Sequence, residues 1–194
     1  MSSSHEIEIK FKVADIGSLT AKLQQLGFQQ ATPRTHEINT LFDLPGQPLR
    51  KRGDLLRLRK YGDIWVLTHK SKGKLKEGPH KIRVETETRI QDGLKMEAIL
   101  RALQFEPSFR YEKFRAEWKR DQGHVVIDET PIGNFAEIEG PPEWIDAVAR
   151  ELNIDPKDYM RENYAALFFS WKKQTRSTAN EMTFAAVGAS DRDK

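Results

Sequence analysis

The sequence predicts an α+β fold in which about eight strands close into one barrel with helices packed on its outside. Three observations carry that prediction. Strict two-residue alternation recurs in one strand-like segment after another. The polar side of that alternation is ionic and mixes both signs, whereas an ordinary half-buried sheet turns neutral and charged groups alike to water. Helical periodicity enters after the first and the fifth strand, so two similar strand-helix-strand halves could close on each other.

The elements follow in order. Residues 5–13 place Glu6, Glu8, Lys10 and Lys12 on one face and Ile7, Ile9, Phe11 and Val13 on the other. Asp15 begins a helix through Ile16, Leu19, Leu23 and Leu26, and Gly27 ends it. Residues 35–43 read as a strand running into a Pro45-Gly46-Gln47-Pro48 loop. Residues 55–61 and 64–70 flank Gly62-Asp63 as a hairpin, followed by a flexible basic loop at 71–79. Residues 80–90 alternate Lys81, Arg83, Glu85, Glu87 and Arg89 against Ile82, Val84, Thr86, Thr88 and Ile90. Asp92 starts the second helix, through Met96, Ile99, Leu100 and Leu103. Strands at 110–120, 124–129 and 134–140 and helices at 142–152 and 156–172 complete the domain, 1–172. Residues 173–194 lose periodicity and read as a polar, disordered C-terminal tail.

Composition narrows the function. The chain has 194 residues, of which 31% are charged, yet the net charge is only +3. Placement of the charges therefore matters more than their sum, and a dedicated nucleic-acid binder is not indicated. The absence of cysteine removes disulfides, thiolate metal sites and cysteine nucleophiles. No stretch approaches the roughly 18 apolar residues of a membrane span, and the N-terminus lacks a signal-peptide core. The expectation is a cytoplasmic protein, monomer or homodimer, with neither nucleic acid nor membrane as partner. The five histidines show no ligand spacing and are expected to be structural or exposed.

The ionic faces suggest a barrel turned inside out, with charge in a wet lumen. Two like charges about 4 Å apart repel by roughly 4 kcal/mol at an effective dielectric of 20, so such a lumen calls for ligands. Clustered carboxylates suit divalent cations with oxygen ligands, and clustered Lys and Arg suit phosphates. A metal-bound polyphosphate meets both demands. A single Glu-x-Glu or Arg-x-Arg is what any exposed charged strand offers. Three Glu-x-Glu pairs and three basic motifs on separate strands of matching parity are not.

These residues, in this order, resemble the CYTH superfamily of triphosphate tunnel metalloenzymes. The resemblance rests on Glu6-Ile7-Glu8-Ile9-Lys10, Asn39-Thr40-Leu41-Phe42-Asp43, Arg57-Leu58-Arg59, Lys70, Glu85-Thr86-Glu87, Lys113-Phe114-Arg115, Asp128 and Glu137-Ile138-Glu139-Gly140, and spans about 5 to 170. It implies an eight-stranded antiparallel closed barrel and a small-molecule triphosphate substrate. It also implies Mg²⁺ or Mn²⁺, with Glu6, Glu8, Glu137 and Glu139 as metal ligands and Glu85 and Glu87 holding a second ion or its waters. Lys10, Arg57, Arg59, Lys70, Lys113 and Arg115 would clamp the phosphates, and Asp128 would orient one of those bases. Glu6, Glu8, Lys10, Glu85, Glu87 and Asp128 form the expected catalytic set. The leading expectation is hydrolysis of tripolyphosphate or an organic triphosphate. The alternatives are a class IV adenylyl cyclase, making cyclic AMP and pyrophosphate from ATP, and a non-catalytic polyphosphate or nucleotide binder.

Overall fold

The computed structural model describes residues 4–72 and 79–190. Its strands are β1 (Ser4–Val13), β2 (Gln29–Asp43), β3 (Leu55–Tyr61), β4 (Ile64–Lys72), β5 (Lys81–Ile90), β6 (Glu106–Arg120), β7 (Gly123–Thr130) and β8 (Gly133–Glu139). They form one closed barrel in the order β1-β5-β4-β3-β2-β6-β7-β8, and every neighbouring pair is antiparallel. Closure commits each strand to one inward and one outward face.

The apolar parity faces outward and is covered by helices. Helix α1 (Ile16–Gln25) starts where the Asp15 carboxylate accepts hydrogen bonds from the Gly17 N–H at 2.8 Å and the Ser18 hydroxyl at 2.7 Å. It ends at Gly27, whose φ of +82° turns the chain back so that the Phe28 N–H reaches the Leu23 carbonyl. Leu23 then packs with Ile9, Phe11, Val125, Ile127 and Ile138, and with Ile145 and Val148 of α4 (Pro142–Glu151), in the largest core. A smaller core places α3 (Gly93–Ala102), capped by Asp92 onto the Lys95 N–H, against Leu56, Leu58, Trp65 and Leu67. Gly93 is needed there, because a Cβ would lie 2.0 Å from the Trp65 ring.

The structure revises five sequence-based expectations. Strand β2 begins at Gln29 instead of residue 35, carried through Pro33 by register shifts between Gln30 and Thr32 and between Thr32 and Thr35. Proline lacks the N–H a regular ladder needs, so the pairing continues only by bulging. Strand β6 likewise begins at Glu106, before residue 110. The Pro-Gly loop contains a short helix, α2 (Pro48–Arg52), because the Asp43 carboxylate accepts from the Leu49 and Arg50 N–H groups. The helix expected over 156–172 is broken. A single 3-10 turn, Pro156–Asp158, is capped by Asp155, Met160 pairs with Lys10, and Asn163 caps a new helix, α5 (Tyr164–Thr175).

The fifth revision concerns the tail. Residues 176–190 are ordered, not disordered, and end in α6 (Phe184–Ser190). Met182 donates its N–H to the Arg110 carbonyl and accepts from the Glu112 N–H, adding to the edge of β6. Ala179, Met182 and Val187 are buried against Phe109, Tyr111, Tyr164 and Phe168. A mostly polar composition concealed these few apolar side chains, which need no period because they fill a gap between aromatic rings. Most of the basic loop, residues 73–78, lies outside the described residues. Among the described residues no helix is long and apolar enough to cross a membrane.

Met182→Ala is expected to cost about 2–5 kcal/mol, the usual loss for a fully buried methionine. Urea denaturation followed by circular dichroism reads this directly. A midpoint unchanged from wild type would mean that residues 176–190 are not part of the core.

Candidate active site

The ionic parity faces inward, as the alternation demands. Glu6, Glu8, Lys10, Arg57, Arg59, Lys70, Glu85, Glu87, Lys113, Arg115, Glu137 and Glu139 all line one cavity of about 530 Å³. Asp128 is fully buried behind its wall, as are Glu37 and Asn39. Every residue expected at the site is therefore in or directly behind the lumen, although they come from seven of the eight strands.

The basic side is built on two buried carboxylates. Asp128 accepts from Lys113 Nζ at 2.9 Å, from Arg115 Nε and Nη2 at 2.7 Å each, and from the Tyr164 hydroxyl at 2.6 Å. It thus holds both cations in place. Glu37 lies 3.5 Å from Lys113, 3.7 Å from Arg59 and 3.9 Å from Arg115. Burial alone would raise the pKa of Glu37, but Lys113, Arg115, Arg59 and Arg57 outweigh it and hold the carboxyl well below its usual range.

Arg57 and Arg59 are less completely partnered than Lys113 and Arg115. Burial and the neighbouring Arg57 hold the Arg59 guanidinium below its ordinary pKa. Arg57 makes only long hydrogen bonds, 3.5 Å to the Tyr111 hydroxyl and 3.4 Å to Thr68. The Nε atoms of both arginines are buried without a partner. Unpaired buried donors of this kind cost about 1–3 kcal/mol each. An anion with several oxygens would satisfy them.

The acidic side shows the opposite imbalance. Carboxylate oxygens of Glu6, Glu8 and Glu139 lie within 4.8 Å of one another. Burial, together with Glu137 and Glu8, raises the pKa of Glu139, partly offset by a 2.8 Å hydrogen bond with His124. Lys70 reaches Glu6 at 2.6 Å, and Lys81 is bonded to Glu8. Three hard oxygen donors around a common point, one of them short of positive charge, fit Mg²⁺ or Mn²⁺.

The six expected metal ligands divide. Glu6, Glu8 and Glu139 come together. Glu137 instead pairs with Lys10 at 3.2 Å and Arg115 at 2.7 Å, and although burial opposes it those cations hold it well below the carboxylate range. Glu85 pairs with Lys70 at 3.2 Å and Glu87 with Arg59 at 3.5 Å. These last two are not part of the three-carboxylate group.

Comparison with known proteins agrees with this geometry. A model of the CYTH domain matches residues 4–164. The chain belongs to the CYTH family. Among its relatives is a protein of Methanocaldococcus jannaschii named "Putative adenylate cyclase", 27% identical over 173 residues, covering 84% of this chain and 97% of the relative. A structure of a "putative adenylate cyclase" from Vibrio parahaemolyticus superposes with a TM-score of 0.75 at 18% identity, covering 87% of this chain and 99% of the other. A "putative adenylyl cyclase" from Hippeastrum, described as revealing a dominant triphosphatase activity, superposes with a TM-score of 0.62 at 23% identity, covering 85% and 95%.

Several lumen residues of this CYTH chain escaped sequence reasoning. Glu37 shares inward parity with Asn39 and Asp43 but forms no Glu-x-Glu pair. Lys81 and Arg83 precede Glu85 with the same parity, which was their available signal. Tyr164 had none, since its helix packs across the barrel from outside the strand pattern. His124, expected to be structural or exposed, is partly exposed and hydrogen-bonds with Glu139.

The folded-state pKa of Glu37 lies below its reference value of 4.5, so its contribution to stability is complete above that value. It is lost as pH falls through the lowered pKa. Glu37→Gln is therefore expected to lose less stability than wild type between about pH 5 and 3, in denaturation midpoints measured across that range. Parallel midpoint curves for the two proteins would contradict this.

Proposed function

We propose that this CYTH protein hydrolyses a triphosphate inside the barrel with the help of Mg²⁺ or Mn²⁺. The observation that carries the reading is the pairing of two opposite deficits across one cavity. Carboxylates of Glu6, Glu8 and Glu139 gather with no Lys or Arg paired to Glu139 among the described residues, and Arg57 and Arg59 keep buried Nε groups without a hydrogen-bond partner. A cation–triphosphate complex offsets both at once.

The roles of the chain's own groups follow from their places. Glu6, Glu8 and Glu139 would hold the divalent cation, whose chemistry is to neutralise phosphate oxygens and to acidify water. Arg57 and Arg59 present unpartnered N–H groups to phosphate oxygens. Lys113 and Arg115, fixed by Asp128 and Glu37, offer charge with no reorganisation, which is how preorganised groups stabilise developing negative charge. Lys10 is held in place by Glu137 and by the Glu162 carbonyl, to which it donates at 3.2 Å. Lys70 and Lys81 sit on Glu6 and Glu8, and would be free to contact phosphate if those carboxylates held a cation.

Cyclisation of ATP is the second reading, favoured by the names of the relatives. One experiment separates the two. The protein is incubated with Mg²⁺ or Mn²⁺ and, separately, with tripolyphosphate, thiamine triphosphate and ATP, and products are resolved by chromatography. Orthophosphate is the expected product; cyclic AMP with pyrophosphate from ATP would replace hydrolysis by cyclisation. Binding of tripolyphosphate without turnover under either cation would leave a non-catalytic binder.

Two variants test the residues. Glu8→Gln and Arg59→Ala are each expected to lower kcat by roughly 10²–10³, with circular dichroism unchanged. Wild-type turnover in either would sink its assignment. Mg²⁺ or Mn²⁺ is also expected to raise the melting temperature of wild type and not of Glu8→Gln, a readout independent of turnover.

A further inference from the structure

Met160, Glu162 and Tyr164 belong to no barrel strand, yet all three converge on one lysine of the lumen. The Met160 N–H donates to the Lys10 carbonyl at 2.7 Å, an isolated antiparallel bridge outside the barrel ladders. Lys10 Nζ donates to the Glu162 carbonyl at 3.2 Å and lies 4.2 Å from the centroid of the Tyr164 ring. The lysine is buried, and its carboxylate partner is Glu137 at 3.2 Å. Both the backbone and the side chain of Lys10 are thus held by the segment 160–164.

Tyr164 extends that hold to the rest of the basic wall. Its hydroxyl donates to Asp128 Oδ2 at 2.6 Å. The same oxygen accepts from Lys113 Nζ at 2.9 Å and Arg115 Nη2 at 2.7 Å, and Oδ1 accepts from Arg115 Nε at 2.7 Å. A carboxylate has about four acceptor sites, so these bonds fill it. The Tyr164 ring also lies 4.8 Å from Lys113 Nζ and 5.7 Å from the Tyr111 ring, whose hydroxyl is the distant partner of Arg57. Tyr164 is buried, and burial together with the Asp128 and Glu137 carboxylates raises its pKa well above the ordinary value, so the hydroxyl stays protonated and donates. An aromatic face attracts a cation more strongly where water is excluded. One side chain therefore restrains Lys10 and Lys113 through its ring, and Lys113 and Arg115 through Asp128.

We infer that Tyr164 is a positioning residue, which acts on the reaction through Lys10, Lys113 and Asp128 by holding the basic wall in the geometry that phosphate oxygens meet. Lysine carries its charge on a flexible stem, and a charge stabilises a transition state best when it has no reorganising left to do. The inference rests on the triphosphate reading of the lumen and adds to its machinery a residue from outside the strand pattern. Tyr164→Phe removes the bond to Asp128 and keeps the ring, whereas Tyr164→Leu removes both.

Steady-state kinetics with Mg²⁺ and, separately, tripolyphosphate and ATP test the two contacts. Tyr164→Phe is expected to lower kcat about tenfold with KM within about twofold of wild type, the mark of an interaction realised in the transition state. Tyr164→Leu is expected to lower kcat by about a hundredfold. A merely structural role would lower the melting temperature and leave the kcat of the folded protein unchanged. That result, or a raised KM at wild-type kcat in Tyr164→Phe, would overturn the inference. NMR of the ammonium groups of Lys10 and Lys113, on ligand-free protein with isotope-labelled lysine, reads the same restraint without turnover. Both resonances are expected in wild type and are expected to vanish through exchange with water in Tyr164→Leu; their persistence there would overturn the inference. If wild type turns over neither substrate, the triphosphate reading fails by itself, and the ammonium resonances still decide whether Tyr164 holds the lysines.

Discussion

Burying charge inside a barrel is possible only where each charge has a partner, and the arrangement of this lumen follows from that constraint. Lys113 and Asp128 are almost wholly removed from water, as is Glu37. Desolvating an ion costs several kcal/mol, and removing one member of a buried pair strands the other. Asp128 answers Lys113 and Arg115 together, Glu37 answers the same two and Arg59, and Tyr164 fills a remaining position on Asp128. The wall is thus a single network in which no member is replaceable by an apolar residue without leaving another unpaired.

The same constraint explains why neighbouring carboxylates with identical parity behave differently. Glu137 and Glu139 both point inward from β8. Glu137 stands opposite Lys10 in the ladder and beside Arg115, so its charge is compensated by the protein. Glu139 stands opposite Glu8 and, among the described residues, hydrogen-bonds through its side chain only to His124. Its charge is left for a ligand to compensate. Register alone therefore turns one glutamate into scaffold and the next into a candidate metal ligand.

Packing outside the barrel reaches the lumen through α5. Asn163 starts that helix by accepting from the Ala166 N–H, which sets Tyr164 over the cations of Lys10 and Lys113 with its hydroxyl on Asp128. One turn further on, Phe168 points away into the aromatic core with Met182 and Val187, and Phe169 faces the cavity. The C-terminal segment, although distant from the chemistry in sequence, fixes the helix that closes one end of the site.

Much of this was legible in the sequence, because strand parity is a local property. Alternation in 5–13 and 80–90 assigns Glu6, Glu8, Glu85 and Glu87 to one face without knowledge of any partner. Asp15 and Asp92 announce their helices by caps that involve only the next few residues. The barrel order, the division of Glu6, Glu8 and Glu139 from Glu85, Glu87 and Glu137, and the burial of Glu37 depend on which strands lie side by side and in what register. The cavity end at α2 and α5 and the ordered C-terminal segment depend on surfaces from β2, β3, β6, α2 and α5 meeting in space. The sequence by itself determined which side chains face inward, since a pleated strand leaves them no alternative. Tertiary structure decided which of them meet, since pairing distance is set by strand register and helix docking, not by spacing along the chain.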